Sequence, residues 1–140
     1  MNYIQFTSNQ EWIKFVYPSN MISEEEEEGT YLFYTEHTGS FRVTPLKLEG
    51  NGNFDADKYL ENLSNDYNGE ILKNPSSKYV YYISYSMEED EKLMIFNWIF
   101  AVNKKIVYCS YTIDDSDKDN PEILKEKDEI LKIINNLKIE

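Results

Sequence analysis

The sequence predicts an α+β domain: a mainly antiparallel sheet with helices covering both of its faces. Three strand-like runs, at 78–87, 92–103 and 105–113, follow one another with only Glu88, Glu89, Asp90 and Glu91 and a tight turn near Asn103 between them. Connections that short allow antiparallel neighbours only, because a parallel crossover takes about a dozen residues or more. The middle run is apolar on both faces: Leu93, Ile95, Ile99 and Ala101 alternate with Met94, Phe96, Trp98 and Phe100. A strand of that kind is covered on both sides. Two punctuated helix patterns supply the cover.

Taken in order, the first third reads as short strands at 3–6, 12–17, 30–35 and 40–48, separated by Pro18-Ser19-Asn20 and by a turn at 36–39. Pro45 places the fourth of these at an edge or a bulge, since proline has no N–H for a ladder. Asp55 is a natural cap for the first helix, with Phe54 and Tyr59 at the two positions of a hydrophobic staple. Ala56, Tyr59, Leu60, Leu63 and Tyr67 recur at three and four residues and form one apolar stripe. Gly69 is expected to stop this helix, and a short strand at 70–73 follows. In the third late run, Val107, Cys109, Tyr111 and Ile113 share a face. The last helix opens with Asn120 as cap, Pro121 at the first helical position and Glu122 in the first turn. Ile123, Ile130, Ile134 and Leu137 line its inner face, and Asp128 and Lys132 form an expected i,i+4 pair.

The 140 residues suit one domain, 1–140. Aromatic content of 15% excludes a disordered acidic chain. No apolar run approaches the roughly 20 residues of a membrane helix. The first residues, Asn2-Tyr3-Ile4-Gln5, show no secretory pattern. One cysteine cannot close an internal disulfide, and these features together favour a cytoplasmic setting. A net charge of −12 argues against nucleic acid, which needs basic stripes, and favours a basic partner.

The apolar pattern of Phe15-Val16-Tyr17-Pro18 and the closing pattern of residues 108–137 resemble the PsbP-like superfamily, which includes many small bacterial domains of unknown function. The resemblance covers nearly the whole chain and implies the three-layer α/β/α sandwich on about seven antiparallel strands. It brings no catalytic residues with it, because the motifs are generic apolar patterns.

Named site motifs are few. Asp115, Asp117 and Asp119, with Glu126, fall at the first, third, fifth and twelfth positions of an EF-hand loop. Asn120 stands where the turn glycine belongs, Pro121 starts a helix, and a strand precedes the loop. The stretch therefore reads as a solvated strand-to-helix connection. His37, the one histidine, lies in a turn, and Cys109 reads as a buried apolar residue. Arg42 is expected to pair with a carboxylate on a neighbouring strand, and Trp12 and Trp98 belong to the core. No cofactor or metal site is called, and no catalytic constellation is visible.

Charge is the broader signal. The run at 24–28, then Glu88, Glu89, Asp90 and Glu91, then Asp114, Asp115, Asp117, Asp119 and Glu122 hold more than half of the 26 acidic residues. Strand direction brings the second and third clusters to one sheet edge. Tyr79, Tyr81 and Tyr85 share a strand face with Ile83 and Met87, and Tyr82 lies on the other. Core packing is the default for these tyrosines, although beside an acidic rim they also suit a protein-binding surface. The expectation is a non-enzymatic binding protein for a basic protein, with Glu88, Glu89, Asp90, Glu91, Asp114, Asp115, Asp117 and Asp119 as the docking rim. An immunity-type inhibitor or an adaptor is a concrete version. The alternative is a small-molecule or metal-binding domain, with hydrolysis as one activity and a pocket between sheet and helix; convergence of that pocket on Arg42 or His37 with several tyrosines would favour it.

Overall fold

Two-residue hairpins set the centre of the structure, a computed structural model that describes residues 2–140. In chain order it contains β1 (Tyr3–Thr7), β2 (Ile13–Pro18), β3 (Ile22–Glu25), β4 (Tyr31–Tyr34), β5 (Ser40–Lys47), α1 (Ala56–Tyr67), β6 (Glu70–Lys73), β7 (Lys78–Glu88), β8 (Glu91–Val102), β9 (Lys105–Asp114), α2 (Pro121–Asn136) and β10 (Lys138–Ile139). Single 3₁₀ turns occupy Glu27–Gly29 and Asp115–Asp117. Glu88 pairs with Glu91 and Val102 with Lys105, so β7, β8 and β9 are successive antiparallel neighbours, as their connections require.

The main sheet has seven strands in the order β3-β4-β5-β9-β8-β7-β6, each neighbouring pair antiparallel. One face carries Phe41, Val43, Trp98, Phe100, Val107 and Tyr111, buried beneath α2 and a small second sheet, β1-β2-β10. The other face buries Val80, Ile99, Ala101 and Ile106 against Leu60 of α1. The architecture is the expected three-layer sandwich, with the three-stranded sheet as an unforeseen part of one outer layer. Trp12, Trp98 and Cys109 are core residues, and burial pushes the Cys109 thiol up, away from thiolate chemistry. No helix among the described residues is long and apolar enough to cross a membrane.

The helix ends follow local chemistry. Asp55 accepts from the Lys58 N–H at 3.1 Å, and the Phe54 and Tyr59 rings of the staple lie 5.4 Å apart. Asn120 accepts from the Glu122 N–H at 2.9 Å, with Pro121 at the first position of α2. The other end of α1 corrects the expectation for Gly69. Asn68, in the left-handed region with φ 52°, ends the helix. Gly69 serves close approach instead, since a Cβ there would sit 2.8 Å from Val80 Cγ1 and 3.1 Å from the Tyr81 carbonyl oxygen. Lys132 also departs from expectation: it pairs with Glu129 at 3.1 Å, where the longer side chain reaches it, rather than with Asp128.

Strand β3 was hidden by its composition. Ile22-Ser23-Glu24-Glu25 has poor strand propensity, but pairing with β4 overrides it. Tyr34 donates to Glu24 at 3.0 Å, Asn9 to Glu25 at 2.8 Å, and Arg42 to Glu26 at 2.9 Å. Part of the expected acidic loop at 24–28 is thus a charged edge strand. Pro45 is accommodated as expected, because β4 ends opposite Val43 and leaves β5 an edge beyond it.

Candidate functional site

The turn between β7 and β8 joins residues 88 and 91 through two residues. A two-residue hairpin of this kind requires positive φ at both positions and favours Asn-Gly or Asp-Gly. Here it is built from Glu89 at φ 47° and Asp90 at φ 69°. Left-handed backbone costs such residues about 1 kcal/mol each. Glu88, Glu89, Asp90 and Glu91 are all exposed on the hairpin. On the next strand pair, Leu93 lies opposite Asp114, which brings the 3₁₀ turn of Asp115 and Asp117 to the same end of the sheet. Asp114 caps that turn, accepting from the Ser116 hydroxyl at 2.7 Å and the Ser116 N–H at 3.0 Å, and these bonds hold its carboxyl below the usual range. Asp114 and Asp115 are half-buried, while Asp117 and Asp119 are exposed.

An apolar strip runs into this acidic end. On the α2 side of β7, Tyr79 and Tyr81 pack on Phe100 and Trp98, as core residues should. Past them the cover stops: Ile83 is 41%, Tyr85 55% and Met87 67% exposed. Lys92 lies over the Tyr85 ring at 4.5 Å. Lys127 of α2 sits over Phe96 at 4.1 Å, so that flank of the helix, which also bears exposed Leu124 and Leu131, borders the same region. Tyr82, on the other face, stacks against Tyr67 at 4.6 Å.

Glu126 is carried away from the acidic loop by α2, as Pro121 led one to expect, but its partners were not foreseen. It lies on the inner face of α2, 8% exposed, and has turned away from the acidic loop. Its carboxylate accepts from the Thr35 hydroxyl at 2.8 Å, the Thr38 hydroxyl at 2.7 Å, the Tyr111 hydroxyl at 2.7 Å and the Gly39 N–H at 3.2 Å. These four donors occupy its acceptor sites, so Glu126 clamps the β4–β5 turn and β9 to α2. Burial and the bond to Glu126 push the Tyr111 phenol up, which keeps it a neutral donor. The available signal was its position, since Glu126 interrupts the apolar stripe between Ile123 and Ile130. Among the described residues no group of three or more metal-ligating side chains comes together.

The other candidates stay apart. His37 is exposed in its turn at φ 67°, and Arg42 is tied to Glu26. A cavity of about 750 Å³ lies at the start of α1 among Asn53, Asp55, Ser77, Lys78 and Lys104. It converges on neither Arg42 nor His37.

Three outcomes are expected. Glu126→Ala should lower unfolding stability in urea by about 3 kcal/mol, because it strands several buried donors, and Glu126→Gln by less. Equal stability of both variants with the parent would contradict the clamp. Tyr111 and Tyr59 both have phenols raised above the ordinary 10.0 by burial first and hydrogen bonding second. Their contribution is therefore intact below about pH 10 and lost as the pH climbs through the higher folded values, so the urea midpoint should hold and then fall, less steeply in Tyr111→Phe. Replacing the hairpin by Glu89→Asn with Asp90→Gly should raise stability by about 1 kcal/mol, read from the same transition.

Comparison with known proteins places this geometry. A crystal structure from Bacteroides thetaiotaomicron VPI-5482 is similar at 25% identity and a TM-score of 0.77, covering 100% of this chain and 49% of that chain. The chain thus spans about half the length of that protein. LpqN, involved in cell envelope biogenesis of Mycobacterium tuberculosis, is similar at 9% identity and a TM-score of 0.71, with 99% and 90% of the two chains covered. The solution structure of cyanobacterial PsbP (CyanoP) from Synechocystis sp. PCC 6803 is similar at 8% identity and a TM-score of 0.50, with 99% and 92% covered. These likenesses show a PsbP-like fold. No curated protein matches the chain. A family model matches residues 1–139, and the chain belongs to the family described as Domain of unknown function (DUF3805).

Proposed function

We propose that this chain is a non-enzymatic binding protein that docks a basic protein surface at the β7–β8 end of its sheet, in a cytoplasmic setting. The observation that carries the reading is the contact between two features: the exposed strip Ile83, Tyr85 and Met87 runs directly into Glu88, Glu89, Asp90 and Glu91, with Asp114, Asp115, Asp117 and Asp119 on the adjoining connection. Contiguous exposed apolar surface rimmed by charge is the usual form of a docking site, and tyrosine is a favoured anchor in one. The strained Glu89-Asp90 turn supports the reading, because acids occupy positions where uncharged turn residues would be more stable. A net charge of −12 would steer a basic partner towards such a rim. An inhibitor of a basic toxin, of the immunity type, is one concrete form.

The test compares capture from a native lysate by the parent chain, by Glu88→Gln/Glu89→Gln/Asp90→Asn/Glu91→Gln, and by Tyr85→Ala/Met87→Ala. A stoichiometric basic partner should be retained at low salt, released at high salt, and bound at least about tenfold more weakly by both variants. The same partner held equally well by the parent and both variants would overturn the reading.

A further inference from the structure

Strand β7 is longer than the strand beside it. β6 pairs only with residues 78–81, its last contact being Glu70 opposite Tyr81, and the main sheet ends there. Residues 82–88 continue in unbroken register against β8, and among the described residues no strand pairs with their other side. Every second residue of that stretch therefore turns its N–H and C=O outward. Open edges recruit other strands, and soluble proteins blunt them with charge, proline or a bulge. The opposite edge of the sheet obeys this rule, since β3 carries Glu24 and Glu25. The β7 edge does not. Tyr82-Ile83-Ser84-Tyr85-Ser86-Met87 has no charge, no proline and no bulge, and Tyr82, Ile83 and Tyr85 favour strands. Its free backbone coincides with the bare strip of Ile83, Tyr85 and Met87.

We propose that the free edge of β7 accepts an extended basic segment of a partner protein as an added strand. The inference rests on the binding reading above and supplies its mode. Backbone hydrogen bonds along residues 82–88 give the affinity, and alternate apolar side chains of the incoming segment extend the Ile83-Tyr85-Met87 strip. Lysine or arginine between or beyond them answers Glu88, Glu89, Asp90 and Glu91. The same charge disfavours a second copy as occupant, because two chains of −12 repel one another.

The probe is a synthetic peptide with valine at alternate positions and lysine between them, added to isotope-labelled full-length protein. The expected result is binding that weakens with salt, new hydrogen-exchange protection at alternate amides within residues 82–88, and a loss of about tenfold or more when the peptide is N-methylated at one parity of positions but not the other. Binding that ignores the methylation pattern and protects no amide would overturn strand addition while leaving the basic-partner reading in place. A glutamate-for-lysine peptide that binds and protects the edge equally well would overturn the basic-partner reading while leaving strand addition in place. Absence of binding, or a dimer in sedimentation with these amides already protected, would also overturn the proposal.

Discussion

The double-sided burial of β8 is the constraint from which the other layers follow. Its two hairpins fix β7 and β9 as its neighbours, and its alternation of Phe96, Trp98 and Phe100 with Ile99 and Ala101 leaves neither face able to meet water. Fully burying side chains of this size is worth about 1.5–3 kcal/mol each. A strand carrying several on each side therefore recruits cover on both. α1 answers on one face through Leu60, and α2 with the small sheet answers on the other. Gly69 shows how close the first of these approaches is, since the turn from α1 into β6 leaves no room for a Cβ beside Val80.

The cover is sized for β8 rather than for β7, and this mismatch creates the candidate site. α1, α2 and β6 shelter the first half of β7, where Val80 is buried and Tyr79 and Tyr81 reach the core. The second half projects past them with its apolar face and backbone edge both unsatisfied. An unpartnered edge of strand-favouring residues is an aggregation hazard in an uncharged protein. The acidic hairpin at its tip and the net charge of −12 oppose self-association. A basic segment would meet no such barrier.

Glu126 illustrates a different use of a buried carboxylate. Its four donors come from the β4–β5 turn and from β9, so one side chain of α2 ties segments far apart in the chain, but adjacent in the sheet, beneath the helix. Such a charge is tolerated because its hydrogen bonds replace its hydration. The arrangement is structural, and it accounts for the one acid of the apparent calcium-loop spacing that does not stay in the loop.

Much of the fold was legible in the sequence because it is written in near neighbours. Period-two runs gave β7, β8 and β9, a staple and cap at Phe54-Asp55 gave the start of α1, and Asn120-Pro121 gave the start of α2. Connection length alone made the central strands antiparallel and brought the hairpin acids beside Asp114. Tertiary structure decided what depends on distant partners. Glu24 and Glu25 became a strand because β4 lies beside them, and Glu126 turned inward because Thr35, Thr38 and Tyr111 wait there. Of the residues sharing a face of β7, which are core and which are surface was likewise set by where β6 ends and by α2 lying over Phe96 and Tyr111 of β8 and β9 at that level. Periodicity reports which side of a strand is apolar, while exposure depends on how far another element extends over it, and no local pattern encodes that length.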